Sequence, residues 1–230
     1  MIFWIASYPK SGNTWLRTII SSYYYSVDGI YTEDNIKKIG QFPEKRHFSS
    51  FNYNKNIVAD TSRFWVKAQE KINSDNQFRF FKTHNVFGKI NENSFTNKEN
   101  SLGCIYIIRD PRNVITSLSN HYELNYEDSL AWMTNHKKYI FDNREGKDFG
   151  NFQFISSWIN NYKSWKLQKD LPVKIVRYED LSEKTFSVTK EIVEFINRTA
   201  NFNQKIDIVK LKNSVKSTSF EILRKKEKKD

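Results

Sequence analysis

Short apolar runs alternate along this chain with longer stretches of helical period. The first run, Ile2-Phe3-Trp4-Ile5-Ala6, gives a strand over 2–7, and a polar turn leads into a helix over about 14–25. Residues 26–60 are polar and irregular, and a second helix is expected over 61–73. Strands are expected over 78–82 and 104–108, then a helix from Pro111, because proline suits a helix's first turn. The polar stretch 126–151 carries a helix over about 127–141. Phe154, Trp158, Tyr162 and Trp165 stand near helical spacing within 152–168. A further strand follows over 173–177, and two or three helices complete the chain.

This alternation predicts an α/β fold: a single domain over 1–230, with a central parallel sheet and helices on both faces. Ligands of such sheets bind beyond the carboxyl ends of the strands. Lys10, Lys82-Thr83-His84, Arg109-Asp110 and Tyr178-Glu179-Asp180 all follow strands, so these polar clusters converge on one edge. The insertions 26–60 and 85–101, with 126–151, are expected to shape an acceptor pocket at that edge. Phe42, Phe48, Phe51 and Phe87 suit either an aromatic slot or the core, and the core is favoured.

Tyr8-Pro9-Lys10-Ser11-Gly12-Asn13-Thr14-Trp15 reads as a tight turn opening a helix, a P-loop-like phosphate cradle. Backbone N–H groups and the helix dipole favour an anion there. Lys10 adds a cation, Ser11 and Thr14 add hydroxyls, and Gly12 permits close backbone approach. It is not a Walker A loop, which needs a second glycine and a Gly-Lys-Ser/Thr ending. His84, beside Lys82 at a strand end, suits either a general base or a structural role. Arg109 can bind a phosphate with its fork, and Ser117 lies two helical turns on. Asp110 can tether Arg109 or Arg112, or cap the helix. Taken alone, each cluster also fits an ordinary strand–helix junction.

The balance of 37 Lys and Arg against 26 Asp and Glu gives a net charge of +11, which favours polyanionic ligands. The basic residues are dispersed and carry no nucleic-acid-binding signature, so no nucleic-acid partner is expected. Mean hydropathy is −0.70, yet aromatics make up 16% of the chain and supply the core. Cys104 is the only cysteine, which excludes an intrachain disulfide, and its apolar run makes it a small buried hydrophobe. No membrane span and no secretory leader are visible, and a cytoplasmic location is expected.

These motifs also carry a resemblance. The segment Tyr8 to Trp15 resembles the phosphosulfate-binding loop of the cytosolic-type sulfotransferases, which use 3′-phosphoadenosine 5′-phosphosulfate (PAPS). Lys82-Thr83-His84 is similar to the family's Lys-Thr-His segment, and Arg109 to Ser117 to its 3′-phosphate element. Phe154 to Trp165 resembles its tryptophan-bearing helix, Tyr178-Glu179-Asp180-Leu181 its Tyr-Glu-Asp segment, and Thr218-Ser219-Phe220-Glu221 its adenine-contacting segment.

The resemblance implies sulfuryl transfer from PAPS to a hydroxyl, or an amine, of a small molecule or glycan, without a metal. It implies that Lys10 and the backbone from Ser11 through Gly12 and Asn13 to Thr14 hold the phosphosulfate. It implies that Trp15, Tyr178, Thr218, Ser219 and Phe220 serve the adenine, and that Arg109 and Ser117 hold the 3′-phosphate. His84 is implied as the base, with Lys82 steadying the sulfuryl oxygens. The family's late Arg-Lys-Gly-x-x-Gly-x-Trp element has no counterpart here, and Arg224, Lys225 or Lys226 are weak substitutes. The alternative is therefore a catalytically weak or inactive PAPS-binding relative. The sequence leaves the acceptor and the oligomeric state open.

Overall fold

In the computed structural model the first apolar run is β1 (Ile2–Ser7), the middle strand of a parallel sheet. The structure describes residues 1–142, 148–219 and 221–223. After β1 come α1 (Asn13–Tyr25), α2 (Glu33–Lys37), β2 (Gly40–Gln41), α3 (Trp65–Ile72) and β3 (Arg79–Thr83). Next are β4 (Lys89–Ile90), β5 (Asn93–Ser94), β6 (Ser101–Ile108), α4 (Pro111–Tyr122) and α5 (Tyr126–Thr134). Then follow β7 (Tyr139–Ile140), β8 (Gln153–Phe154), α6 (Trp158–Leu167), β9 (Val173–Arg177), α7 (Tyr178–Glu183), α8 (Thr185–Thr199) and α9 (Ile208–Ser217).

The sheet order is β2-β3-β1-β6-β9, with every pairing parallel. Because β1 is covered on both faces, all six of its residues are buried, and its sequence is continuously apolar rather than alternating. Phe3 and Ile5 face Leu16, Ile19 and Ile20 of α1 and Ile192 and Ile196 of α8. Trp4 faces the other way, into a cluster with Trp65 of α3, Trp165 of α6 and Cys104. Cys104 is fully buried, and burial pushes its thiol pKa up. No helix among the described residues is long and apolar enough to cross a membrane.

Register aligns the strand ends. Ala6 pairs with Thr83, Ser7 with Ile107, and Ile108 with Arg177. The segments that leave β1, β3, β6 and β9 therefore emerge along one edge.

Several elements differ from the sequence-based expectation. The helix expected over 127–141 stops at Thr134, and β7 instead pairs antiparallel with β8. Phe154 consequently belongs to a strand, and α6 starts only at Trp158, where the Ser157 side chain accepts the Asn160 N–H. The helix expected over 61–73 opens as a 3₁₀ turn, Asp60–Phe64. Within 26–60, α2 and β2 are regular, and β2 adds an edge strand to the sheet.

Candidate active site

The turn between β1 and α1 is held in a shape that few residues adopt. Lys10 (φ 65°) and Gly12 (φ 93°) are both in the left-handed region. Glycine is required at the second position for space as well, since a Cβ there would lie 2.5 Å from Cδ2 of Tyr178. Helix α1 begins without a side-chain cap, so the N–H groups of its first turn are left for a ligand. Ser11 is buried, and its Oγ has no hydrogen-bond partner among the described residues. Asn13 anchors the turn from below: its Nδ2 donates to the Ile5 carbonyl and to Ser7 Oγ, each at 3.1 Å.

Arg109, just past β6, closes one side. Its Nη1 donates to the Lys10 carbonyl at 3.2 Å, and its guanidinium lies 4.5 Å from the centre of the Tyr178 ring. Its Nε is buried without a partner among the described residues. Asp110 does not hold Arg109; its side chain caps α4 and pairs with Arg112. Tyr178 in turn meets Trp15 edge to face at 5.7 Å, and the Trp15 indole N–H donates to the Thr218 carbonyl at 2.9 Å.

His84, just past β3, closes the other side. Its Nδ1 is 2.7 Å from the Ser7 carbonyl oxygen, which can only accept, so Nδ1 carries the proton. Nε2 is then the free basic nitrogen. Burial and, next, the Lys82 charge hold the imidazole well below its ordinary pKa. The bond to Ser7 opposes this, and Arg17 and Lys10 add to the lowering. The ring is therefore neutral at physiological pH. Lys82 donates from Nζ to Gln41 Oε1 at 2.6 Å; burial, then Arg17, push its pKa down to about 7, with Glu44 opposing. Lys10 is also lowered, by burial and then by Arg109.

Lys10, Arg109, Tyr178, Lys82 and His84 open onto one cleft of about 1100 Å³. Lys10, Thr14 and Trp15 line one part of it with Arg109, Ser117 and Tyr178, while Lys82 and His84 line another. Orphaned buried donors, an uncapped helix start and converging cations are what a phosphate or sulfate group requires. An aromatic pair beside them suits a nucleobase. The residues present thus fit a phosphorylated nucleotide.

A family model described as the sulfotransferase domain matches residues 2–230. The chain belongs to this sulfotransferase family. It is 24% identical to luciferin sulfotransferase of Photinus pyralis over 223 residues, which is 96% of this chain and 56% of that protein. It is 24% identical to sulfotransferase 1A1 of Mus musculus over 199 residues, 85% of this chain and 59% of the other. The fold matches the crystal structure of mouse sulfotransferase SULT7A1 complexed with PAP, with a TM-score of 0.57 and 18% identity. That match covers 97% of this chain and 65% of the other. The chain thus spans less than two thirds of the length of these sulfotransferases.

Within the cleft, the expected residues divide. Lys10, Gly12, Asn13, Thr14, Trp15, Lys82, His84, Arg109, Ser117 and Tyr178 all line it. Ser11 is buried behind it. Thr218 is also fully buried, with its hydroxyl on the Ser214 carbonyl, and it meets the cleft only through Trp15. Ser219 does not line the cleft; its carbonyl instead accepts the Ile222 and Leu223 N–H groups. Phe220, Arg224, Lys225 and Lys226 lie outside the described residues.

Of the insertions, 26–60 contributes Gln41 and 126–151 contributes Ile140, Phe141, Asp142 and Asn151. Among the described residues that line the cleft none belongs to 85–101, and Phe95 and Phe87 pack that segment on the core cluster around Trp165. Phe42 and Phe48 are fully buried in the same cluster, and Phe51 packs on it. The sequence did not point to Ser7, Gln41 or Gln153. Ser7 fixes the His84 tautomer, and the other two flank the cleft through strand pairing, which leaves no local motif.

Proposed function

We propose that the chain transfers a sulfuryl group from PAPS to a hydroxyl, or an amine, of a small molecule or glycan, with His84 as general base. The observation that carries this reading is the bond from His84 Nδ1 to the Ser7 carbonyl, which leaves a neutral imidazole with its basic Nε2 free in the anion-binding cleft. When bound, PAPS supplies a sulfuryl group whose bond to a phosphate oxygen breaks as its bond to the acceptor oxygen forms. His84 Nε2 takes the acceptor's proton, a contribution of about 10²–10⁴ in rate. Lys10 and the first-turn N–H groups of α1 hold the phosphosulfate and offset the charge that grows on the leaving oxygen. Lys82 steadies the sulfuryl oxygens. Arg109 and Ser117 take the 3′-phosphate, while Trp15 and Tyr178 flank the adenine. A cytoplasmic setting belongs to the same proposal, and the unpaired buried Cys104 fits a reducing compartment.

The direct test is transfer of label from ³⁵S-PAPS to a panel of hydroxyl and amine acceptors. Transfer that needs both donor and acceptor supports the reading. Binding of 3′-phosphoadenosine 5′-phosphate (PAP) without transfer to any acceptor would favour an inactive relative instead.

Two expectations follow from the cleft's cations. Arg109→Ala should weaken PAP binding by roughly 10–100-fold, the worth of hydrogen bonds to a charged group. Binding of 5′-AMP should change much less, and an equal loss for both nucleotides in calorimetry would contradict the assignment. The second concerns pH. In the free protein Lys82 loses its proton as pH rises through about 7. The kcat/KM profile reports free-protein groups, so it should fall on the alkaline side of about 7, and Lys82→Met should abolish that limb. His84 adds no acid limb near its ordinary pKa, because its folded pKa lies well below it. A wild-type profile that is flat through about pH 7 would contradict the role of Lys82.

A further inference from the structure

Two glutamines line the cleft beside Lys82 and His84. Gln41 lies beside Lys82 in the β2–β3 register, and its Oε1 accepts the Lys82 ammonium at 2.6 Å. Gln153, in β8, accepts the His84 backbone N–H on its Oε1 at 2.9 Å. The His84 backbone N–H only donates, as does Lys82 while it is charged, and this fixes which end of each amide is the NH₂. Both residues line the cleft, and neither NH₂ has a partner among the described residues. Gln153 is only 3% exposed, so its NH₂ has little besides the cleft to turn to. The same cleft is walled by Tyr122 and Phe141, with Asn151 nearby.

We infer that Gln41 and Gln153 select an acceptor carrying oxygens next to the reacting hydroxyl, and that the acceptor is a polyol or sugar. This rests on the sulfotransferase reading above. NH₂ donors lining the cleft beside Lys82 and His84 call for acceptor atoms on the substrate near its nucleophile. A vicinal hydroxyl offers such an oxygen, and a flat apolar alcohol does not. An apolar acceptor would cover the NH₂ groups and leave them unpaired, which lowers its kcat/KM by about tenfold or more. Sites built to bond a substrate's polar groups reject analogues that lack them. Tyr122 and Phe141 suit the C–H face of a sugar ring.

The test uses the full chain with ³⁵S-PAPS. Methyl β-D-glucopyranoside and myo-inositol are compared as acceptors with cyclohexanol and phenol. The polyols should show kcat/KM at least about tenfold higher. Gln153→Glu keeps an oxygen for the His84 N–H but replaces the donor with an acceptor, so it separates recognition from folding. It should raise KM for the polyols by roughly tenfold or more relative to its effect on phenol, since the new charge beside His84 acts on every acceptor alike. PAP binding with transfer to phenol or cyclohexanol but to no polyol overturns this inference alone, as does an equal response of polyol and phenol to Gln153→Glu. Failure to bind PAP at all removes the reading beneath it as well.

Discussion

Replacing His84 with alanine is expected to cut turnover by about 10²–10⁴-fold, the usual worth of a positioned general base. PAP affinity should be largely retained, because the groups proposed to bind phosphate sit on the β1–α1 turn and on Arg109 rather than on the histidine. The difficulty is that His84 is also structural. Its Nδ1–H ties β3 to the Ser7 carbonyl, and its ring is almost wholly buried. Alanine therefore removes a strap and a buried ring along with the base. His84→Asn separates the two roles, since its amide nitrogen can donate to Ser7 in place of Nδ1 yet supplies no base. Equal loss in both variants, measured as single-turnover rates at saturating PAPS, identifies the missing base as the cause. Near-normal turnover in either variant would remove His84 from the mechanism.

Lys10→Ala should be nearly as severe. A preorganised charge facing a developing anion is worth about 10²–10³ in rate. Because burial and the neighbouring Arg109 lower its pKa, Lys10 is also disposed to give up a proton to the leaving oxygen. Alanine keeps the Cβ at φ 65°, so the strain of the turn is unchanged and only the ammonium is lost. Tm should therefore barely move, while kcat falls and PAP binding weakens. A variant with normal kcat would mean that the backbone N–H groups suffice and that the ammonium is dispensable.

The legibility of this site in the sequence follows from the topology. A parallel sheet puts every strand's carboxyl end on one edge, so Lys10, His84, Arg109 and Tyr178 could be grouped before any contact was known. The central strand was equally plain, because burial on both faces leaves a continuous apolar run. The β7–β8 hairpin was not legible. Strands of two residues carry no period, and Phe154 fell by chance near the helical spacing of Trp158, Tyr162 and Trp165. Strand β2 is likewise too short to signal itself and exists because β3 offers an open edge. The same shortness hid Gln41 and Gln153, whose positions beside Lys82 and His84 are products of pairing. Asn13 was grouped with the cofactor ligands for its backbone, and the structure adds that its side chain anchors the turn to β1. Only the tertiary contact could show that.

The most direct measurement is a calorimetric titration of the unmodified protein with PAP, using 5′-AMP as the control. A 3′-phosphate held by Arg109 and Ser117 predicts PAP binding at least about tenfold tighter than 5′-AMP. Equal affinities, or no binding of PAP by folded protein, would contradict the assignment of this cleft to PAPS.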